Sequence, residues 1–425
     1  MQRFTFIDLF CGIGGFRIGL EAAFKKHNID LECVLSADIK SDAIKVYNHN
    51  FGENNKELNV RDLKEADVPQ FDIVCAGFPC QPFSAAGSKQ GLGDERGNLI
   101  FEVVKLCKLR QPKIIILENV PNLLTMDGGK VIKRIKKEFE DIGYHISYSL
   151  LDSSDFTVPQ IRKRVFIVGT LEREIDLSLV QHMKALPLKH VIDKEDTTTN
   201  IPDFFLNALL KLPEERLYNC SIKDKRGGAN NIHSWDLELF GKLDDVQKSI
   251  LNKLMLERRK KHWAEKKEIP WMDGMPLTLQ EINTFVDMTE EQLNTQLEHL
   301  VKIGYLKKEK PKDLVNGKRA YKTDAVEGYN INRGKLSFPL SQILNMEGFA
   351  PTLTATDCNK LGIKIGCVIR RLNKHELKRI CGFPETYDVS SPKVNYYDLF
   401  GNMVCPPVVE QIACTIIKQL KLARD

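Results

Sequence analysis

Apolar and polar positions alternate along the first 170 residues in a way that predicts strands and helices in turn. Short apolar runs, each long enough for one buried strand, lie at residues 4–10, 33–37, 73–76, 114–117 and 165–168. Amphipathic stretches with helical spacing lie between them, at residues 16–26, 43–49, 99–109 and 130–139. Because strands that alternate with helices form βαβ units, this pattern predicts an α/β fold with a mostly parallel, doubly wound sheet.

From about residue 171 to residue 366 this alternation stops, and the segment is richer in charged residues. Its helical patterns lie at residues 244–263, which predict one basic helix, and at residues 290–303. A hairpin is predicted around the Asn-Gly pair at 316–317, with strands at residues 305–308 and 318–322. Helices followed by a basic hairpin are similar to a winged helix, and an ordinary helical insertion with a solvated basic face fits equally well.

Positive charge in this segment concentrates between residues 302 and 322, where eight Lys and Arg stand against Glu309 and Asp313. Such a cluster suits contact with phosphates. The pattern of the first part returns in the last 60 residues, with a predicted strand and two helices at residues 366–369, 374–381 and 408–420.

Length, composition and charge limit the number of domains and the classes of protein that fit this sequence. The chain has 425 residues, 42% of them hydrophobic, which suffices for two or three domains. We find no run of about 20 apolar residues and no signal peptide before the first strand, so we expect a soluble, intracellular protein without membrane contact. The 11 cysteines are scattered without a Cys-x-x-Cys pair, which favours reduced thiols over a zinc site or disulfides. The net charge of +5 allows nucleic acid as a partner without requiring it.

Cys80 stands between Pro79 and Pro82, directly after a predicted strand that ends at Gly77. Proline fixes φ and lacks an amide donor, so this loop cannot continue a helix or a ladder. A thiol on a stiff loop at the carboxyl edge of a sheet is placed as a nucleophile of an α/β enzyme. The alternative is a buried structural cysteine, which the two prolines disfavour.

The first βα turn contains Phe10 and the three glycines Gly12, Gly14 and Gly15. These glycines let the backbone turn sharply and approach a ligand, and the helix that follows favours an anion at its N-terminus. Arg17 replaces the third glycine of the dinucleotide fingerprint, so a nicotinamide enzyme is disfavoured. The turn therefore favours a nucleoside-type ligand of another kind.

Two acids follow in the order that such a ligand needs. Asp38 ends the second strand, where a carboxylate accepts hydrogen bonds from ribose hydroxyls, and Ile39 beside it suits a purine face. Asp62 is our candidate for the adenine amino group. Taken singly, both acids are more often solvated loop residues.

Glu118 ends a buried apolar strand, where loss of water disfavours its charged form and favours proton donation. A capping acid is the alternative. Further along, alternation puts Gln160, Arg162 and Arg164 on one face, away from Lys163. Two arginines in one cleft suit a phosphate or a base carbonyl, although a surface ladder has the same pattern.

Together these motifs resemble the cytosine-C5 DNA methyltransferase family over residues 4–170 and 350–412. The Phe-x-Gly-x-Gly-Gly turn, the Pro-Cys loop, Glu-Asn-Val at 118–120 and Gln-x-Arg-x-Arg at 160–164 come in the family's order. Residues 370–384 look like its ninth motif and residues 400–404 like its tenth. Met403 and Asn373 stand where the family usually has serine and threonine; neither change removes a catalytic group.

The resemblance implies a class I S-adenosylmethionine-dependent methyltransferase fold, Rossmann-like, with an inserted target-recognition domain. We expect the catalytic and cofactor-binding domain at residues 1–175 and 366–425, with the last part packing back on the sheet. The inserted target-recognition domain is expected at 176–365, with the winged-helix-like element at about 243–324.

The resemblance also implies roles. Cys80 as a thiolate adds to C6 of a flipped-out cytosine, Glu118 holds N3 and the exocyclic amino group, and Asn119 orients the loop. Arg162 assists at O2, Arg164 braces the site, and Gln160 belongs to the same motif. The methyl group comes from S-adenosyl-L-methionine, which leaves as S-adenosyl-L-homocysteine, and no metal is expected.

The implied binding residues form two sets. The cofactor pocket takes Phe10, Gly12, Gly14, Gly15, Asp38, Ile39, Asp62, Leu63, Gly77, Pro79, Leu99, Asn402 and Val404. The DNA contacts take Ser84, Ser88, Lys89 and Gln90 in a glycine-rich loop, and Thr352, Leu353 and Thr354, which resemble the family's Thr-Leu recognition element. A loop without a role is the alternative for the first four.

Three alternative functions fit the sequence less well. RNA methyltransferases with these motifs lack a large recognition domain and carry a Cys-Phe-Thr tripeptide that is absent here. Amino-methyltransferases need a Pro-Pro-Tyr type motif, and the Pro406-Pro407 pair does not provide it. A silent regulator is disfavoured by the intact motifs. We therefore expect a monomeric bacterial or phage enzyme that acts on double-stranded DNA, is cytoplasmic and nucleoid-associated, and pairs with a restriction endonuclease.

Overall fold

The computed structural model describes residues 3–79, 99–198, 201–224, 230–270, 274–315, 318–332 and 338–422. Contacts divide the chain into two units, and both are assembled from separate segments. Unit 1 consists of Met1–Asp193, Asn345–Asn359 and Leu372–Asp425, and unit 2 of Lys194–Leu344 and Lys360–Arg371. The segment Asn345–Asn359, which we assigned to the inserted domain, thus packs with unit 1. That unit 2 recognises the target sequence stays a prediction.

The strands are short, and most helices have between five and 14 residues. The described strands are β1 (Arg3–Leu9), β2 (Asp30–Ala37), β3 (Ile73–Ala76), β4 (Ile114–Asn119), β5 (His145–Asp152), β6 (Lys163–Thr170), β7 (Ser221–Ile222), β8 (Asn231–Ile232), β9 (Leu306–Glu309), β10 (Lys312–Val315), β11 (Lys318–Tyr321), β12 (Gly328–Ile331), β13 (Gln342–Leu344), β14 (Leu361–Ile365) and β15 (Val368–Arg371). The described helices are α1 (Gly15–Lys26), α2 (Ser41–Phe51), α3 (Leu99–Arg110), α4 (Lys130–Glu140), α5 (Asp203–Leu210), α6 (Glu214–Asn219), α7 (Asp245–Glu257), α8 (His262–Lys266), α9 (Leu279–Asn283), α10 (Glu290–Lys302), α11 (Lys374–Ile380), α12 (Tyr396–Gly401) and α13 (Pro406–Gln419).

The sheet of unit 1 has the strand order β2-β1-β3-β4-β6-β5. The pairs among β2, β1, β3 and β4 are parallel, whereas β6 pairs antiparallel with both β4 and β5. Strands β3 and β4 are buried along their whole length, as continuous apolar runs in a doubly covered sheet require. Strand β5 was not predicted, because its alternating polar residues and the exposed Tyr148 and Leu150 belong to an edge strand.

Helix α13 packs against α1 through a glycine. A Cβ on Gly19 would lie 2.5 Å from the carbonyl oxygen of Pro406 and 2.6 Å from Cβ of Val409, so only glycine lets the helices approach this closely. The stretch Tyr396–Gln419, which contains α12 and α13, is long and apolar enough to span a bilayer by length and composition alone. Since 78% of its apolar window is buried inside the protein, it has the character of a core helix.

Unit 2 has two apolar cores. One joins α5 to the five-stranded sheet β15-β14-β13-β7-β8, and the other joins α7, α10, β9 and β12. Two of our predictions here are wrong in detail. Strand β9 pairs with β12, while β10 and β11, the strands on either side of the Asn-Gly pair, pair with each other. The predicted helix 244–263 ends at Glu257, because the carbonyl of Arg258 accepts from the amide of Met275 and a second helix starts at His262.

Candidate active site

The turn after β1 and the end of β2 meet at Asp38. The amide of Gly12 donates to Asp38 Oδ2 over 2.9 Å, and the amide of Lys40 donates to Oδ1 over 2.8 Å. Burial raises the pKa of the Asp38 carboxyl, although these donors oppose the shift. Each carboxylate oxygen keeps a second lone pair for a hydroxyl donor. Beside it, Ile39 is 68% exposed, which leaves an apolar surface for a planar ring.

The backbone of this turn leaves room for a ligand. Phe10, Gly12 and Gly14 have φ values of 57°, 53° and 85°, in the left-handed region. No atom lies within 4 Å of a Cβ built on Gly12, so its side-chain direction points into open space. The residues of the turn therefore fit the cradle that a nucleoside-type ligand needs.

Val404, after α12, closes the other side of this turn. A Cβ on Gly15 would lie 2.1 Å from the Val404 carbonyl oxygen. A Cβ on Gly77 would lie 3.3 Å from Val404 Cγ2 and 3.9 Å from Glu118 Oε2. Three predicted cofactor residues, Gly15, Gly77 and Val404, and the predicted catalytic acid Glu118 are thus neighbours.

Asn402 is exposed, and its amide donates to the carbonyl oxygen of Asp398 over 3.1 Å. Asp398 in turn forms an ion pair with Lys40, next to Asp38. Asn402 is therefore linked to the candidate cofactor site through this pair.

The other predicted cofactor residues differ in their burial and in the elements that carry them. Asp62 is exposed at the end of a short 3₁₀ turn, and Leu63 packs against the apolar core. Gly77 and Pro79 are half-buried in the segment after β3, and Leu99 is half-buried at the start of α3. Their ligand roles stay predictions.

Glu118 and Arg164 form a nearly buried ion pair. Glu118 is 8% exposed, and its Oε1 lies 2.9 Å from Arg164 Nε. Burial raises the pKa of the Glu118 carboxyl, and the charges of Arg164 and Arg162 oppose this without cancelling it. The result is a carboxyl group that takes a proton more readily than an exposed glutamate.

Asn119 holds the segment that leads to Cys80. Its side-chain amide donates to the carbonyl oxygen of Phe78 over 3.1 Å, and its Oδ1 accepts from the amide of Val120. Cys80 itself lies outside the described residues, as do the predicted DNA contacts Ser84, Ser88, Lys89 and Gln90. Their roles stay predictions.

Arg162 differs from its expected position in an open cleft. It is 3% exposed, and its guanidinium donates to three backbone carbonyls, those of Leu353, Gly401 and Met403. Burial and the nearby Arg164 lower the pKa of Arg162 to about 10, so it stays charged at neutral pH. Its Nε has no partner in the described part of the chain. In this arrangement Arg162 joins the 353 and 401–403 segments to β6.

Two further predicted site residues are buried. Gln160 is fully buried, and its amide donates to the Ile380 carbonyl and accepts from the Leu353 amide, so it holds the backbone at both positions. Leu353 is 1% exposed. The catalytic role of Gln160 and DNA contact by Leu353 stay predictions. Of the neighbours of Leu353, Thr352 donates to the Ile161 carbonyl, whereas Thr354 is exposed. DNA contact by these threonines stays a prediction.

Sequence reasoning missed Asp8, which lies in β1 two residues before the turn. It is fully buried, and neither carboxyl oxygen has a hydrogen-bond partner among the described residues. Burial raises its pKa well above the ordinary value of 3.8. An acid within the apolar run 4–10 was the available signal. We also missed Tyr387, whose hydroxyl donates to the Ile13 carbonyl of the glycine turn; no sequence signal marks a contact across that distance.

Among the residues that the structure describes, no group of three His, Cys, Asp or Glu side chains is arranged to hold a metal ion.

Comparisons with known proteins match the whole length of the chain. The family model for C-5 cytosine-specific DNA methylase matches residues 4–418. The chain is 40% identical to the type II methyltransferase M.NlaIV of Neisseria lactamica, covering 99% of this chain and 100% of that protein. It is 36% identical to the type II methyltransferase M.BanI of Aneurinibacillus aneurinilyticus, covering 97% and 95%.

Among solved structures, the methyltransferase EhMeth of Entamoeba histolytica aligns with a TM-score of 0.53 at 17% identity, over 99% of both chains. The Dnmt2 methyltransferase of S. pombe gives the same TM-score and coverage at 14% identity. These two show the fold alone. Together the comparisons confirm the family, the enzyme class and the fold class predicted from the motifs.

Proposed function

Because this chain belongs to the C-5 cytosine-specific DNA methylase family, we propose that it transfers a methyl group from S-adenosyl-L-methionine to carbon 5 of a flipped-out cytosine. It is a DNA cytosine methyltransferase of the type II restriction-modification kind. The observation that carries the finer proposal is the Glu118–Arg164 pair. It lies beside Gly77 and Val404, where a buried acid and the candidate cofactor turn are neighbours.

The protein must first make carbon 5 nucleophilic. The thiolate of Cys80 adds to C6 and forms an S–C6 bond, and the electron pair of the C5–C6 bond becomes available at C5. Glu118, which keeps a proton more readily than an exposed glutamate, stabilises the charge that develops at N3. When bound, S-adenosylmethionine supplies the methyl group as an electrophile. Loss of the C5 proton then restores the double bond and expels the Cys80 thiolate.

Support for the cofactor site comes from the residues around Asp38. Its two oxygens each use one lone pair on a backbone amide, which leaves acceptors for two hydroxyl groups. The exposed Ile39 and the open space at Gly12 fit an adenosine moiety. Arg164 forms the ion pair with Glu118, and its guanidinium holds that carboxyl in place for the base.

The proposed activity also implies a substrate, a partner enzyme, an oligomeric state and a location in the cell. We infer a double-stranded DNA substrate with a specific sequence, a cognate restriction endonuclease, a monomeric enzyme and a cytoplasmic location. The flipped base costs a few kcal/mol of lost stacking and pairing, which binding to the rest of the duplex must offset.

The direct test is methylation of plasmid DNA in cells that express the chain, followed by bisulfite sequencing. We expect protected cytosines at one recurring sequence, and Cys80→Ser should remove the protection while S-adenosylmethionine binding, measured by calorimetry, is retained. A wild-type protein that leaves every cytosine convertible, in cells where it is folded and abundant, would contradict the proposed function.

A further inference from the structure

A cavity of about 230 Å³ in unit 2 is lined by four cationic side chains and one carboxylate. It lies between the two strand pairs β9–β12 and β10–β11. The residues used below are Lys307, Lys310, Lys312, Arg319, Glu309 and Asn330. None of them belongs to the candidate active site of unit 1.

The carboxylate neutralises one of the four cations. Glu309 Oε2 lies 2.6 Å from Lys307 Nζ, and its Oε1 accepts from the Asn330 amide over 2.6 Å. Burial raises the pKa of Glu309, but these hydrogen bonds outweigh it and hold the pKa below its ordinary value. Glu309 therefore stays ionised and is committed to groups of the protein.

The other three cations have no carboxylate partner among the described residues. Lys310 Nζ donates to the Thr323 carbonyl over 2.5 Å, and Lys312 Nζ lies 4.9 Å from the centre of the Tyr321 ring. Arg319 is exposed and has no recorded partner in the described ranges. Three cations thus line one cavity without an ion pair to a carboxylate within the described ranges, although the charge of Glu309 also acts on Lys312. Such a surface suits an anionic partner.

The hairpin β10–β11 presents two of these charges together. Lys312 pairs with Tyr321 and Leu314 pairs with Arg319, so all four side chains lie on the same face of the hairpin. Leu314 and Tyr321 on that face are about half exposed. This face of the hairpin therefore carries two cationic side chains beside two partly exposed apolar ones, and it extends beyond the cavity.

We propose that this cavity and the hairpin face beside it, which we call the basic hairpin site, bind backbone phosphates of duplex DNA. The site rests on the proposed function, since it adds a contact to the DNA substrate. A lone inorganic phosphate needs only the cavity, whereas Lys312 and Arg319 on the hairpin face extend the positive charge across β10 and β11, as a polymer of phosphates requires.

The test is the affinity for a cognate duplex, measured by fluorescence anisotropy between 50 and 200 mM salt with the full chain. Each lost phosphate contact reduces the slope of log K against log salt by about 0.9. The double variant Lys312→Ala/Arg319→Ala should therefore lower the slope by about 2 and weaken binding about tenfold or more at low salt. The charge-conserving variant Lys312→Arg/Arg319→Lys should recover most of the affinity, which excludes misfolding as the cause.

The matched control is Lys253→Ala, an exposed lysine of α7 with no ion pair to a described residue. It should leave both affinity and slope unchanged. An unchanged slope in the double variant, or an equal loss in the control, would overturn the basic hairpin site. So would calorimetric binding of inorganic phosphate that the double variant abolishes without any effect on DNA affinity.

These results remain separate from the proposed function. If wild-type protein methylates the duplex while the double variant binds it normally, only the basic hairpin site is wrong. If wild-type protein methylates no duplex, the proposed function itself fails.

Discussion

Arg164 Nε lies 2.9 Å from Glu118 Oε1, and this ion pair connects β6 with the end of β4. Burial raises the pKa of Glu118, and the charges of Arg164 and, to a smaller extent, Arg162 lower it. The protonation of this carboxyl is therefore set by the balance between loss of water and two guanidinium groups, of which Arg164 has the larger effect.

The first prediction changes that balance. Arg164→Gln removes the opposing charge with the larger effect, so the pKa of Glu118 should rise further above its ordinary value. If protonated Glu118 acts on the base, the alkaline limb of kcat/KM that reports its ionisation should move to higher pH. Glu118→Gln is the control: it has no proton to lose, so this limb should disappear and the rate should fall by about 10²–10⁴-fold. A limb that moves to lower pH in Arg164→Gln would contradict this role.

The second prediction separates the two arginines. Arg162→Lys loses hydrogen bonds to three buried carbonyls, so the free energy of unfolding should fall by about 3 kcal/mol. Arg164→Lys keeps a charge beside Glu118 and contacts fewer groups, so its unfolding free energy should change by less than about 1 kcal/mol while methyl transfer slows. Urea unfolding of both variants measures this. Equal stabilities would show that the Arg162 contacts contribute little.

The third prediction concerns the close approach of Val404 to the glycine turn. In Gly15→Ala the new methyl group meets the Val404 carbonyl at 2.1 Å, so the backbone must shift at a cost of about 3 kcal/mol. In the control Gly12→Ala the methyl group enters open space, and only the left-handed φ costs about 1–2 kcal/mol. Thermal unfolding should rank Gly15→Ala as the less stable. The Gly12 variant should instead lose affinity for S-adenosylmethionine in calorimetry, and unchanged affinity there would argue against a cofactor at this turn.

The fourth prediction is a dependence of stability on pH. Asp8 has a pKa well above 3.8 in the folded protein, so it keeps its proton where the unfolded chain has lost it. Stability contributed by this group is complete below about pH 3.8 and is lost as pH rises towards the folded pKa, by up to about 1.4 kcal/mol per pH unit.

Asp8→Asn removes that dependence without changing the size of the side chain. The free energy of unfolding of the variant minus that of the wild type should therefore increase with pH, whatever its value at the lowest pH. Denaturant unfolding at matched pH values between 5 and 8 tests the slope. A difference that is flat or decreases with pH would show that Asp8 is ionised in the folded protein.

Local spacing made much of the catalytic unit predictable. The continuous apolar runs at residues 73–76 and 114–117 form β3 and most of β4. Glu118 lies at the carboxyl end of β4, where parallel strands present their chemistry. Because those ends meet at one edge of a sheet, the sequence predicts that motifs distant along the chain lie together.

The predictions from the sequence fail where contacts between residues distant along the chain determine the side-chain partner or the strand pairing. Gln160, Arg162 and Arg164 alternate as predicted, but the partners of the first two lie near residues 353, 380 and 401–403, which no local pattern reveals. Strand β11 lies where a strand was predicted, yet its partner is β10, and β9 pairs with β12, because tertiary packing selects between possible strand partners. The sequence shows Asp8 as an acid within an apolar strand. It does not show that the Asp8 carboxyl lacks a hydrogen-bond partner among the described residues.

The central claim is that the sulfur of Cys80 bonds to C6 of the target cytosine. The most direct measurement uses a cognate duplex with 5-fluorocytosine at the target, because fluorine at carbon 5 blocks the proton loss that releases the enzyme. With S-adenosylmethionine present, the wild-type protein should form a complex that survives denaturing electrophoresis, and mass spectrometry should locate the DNA on Cys80; Cys80→Ser should form none. A protein that methylates the unsubstituted duplex but forms no bond at Cys80 with the fluorinated one would contradict the claim.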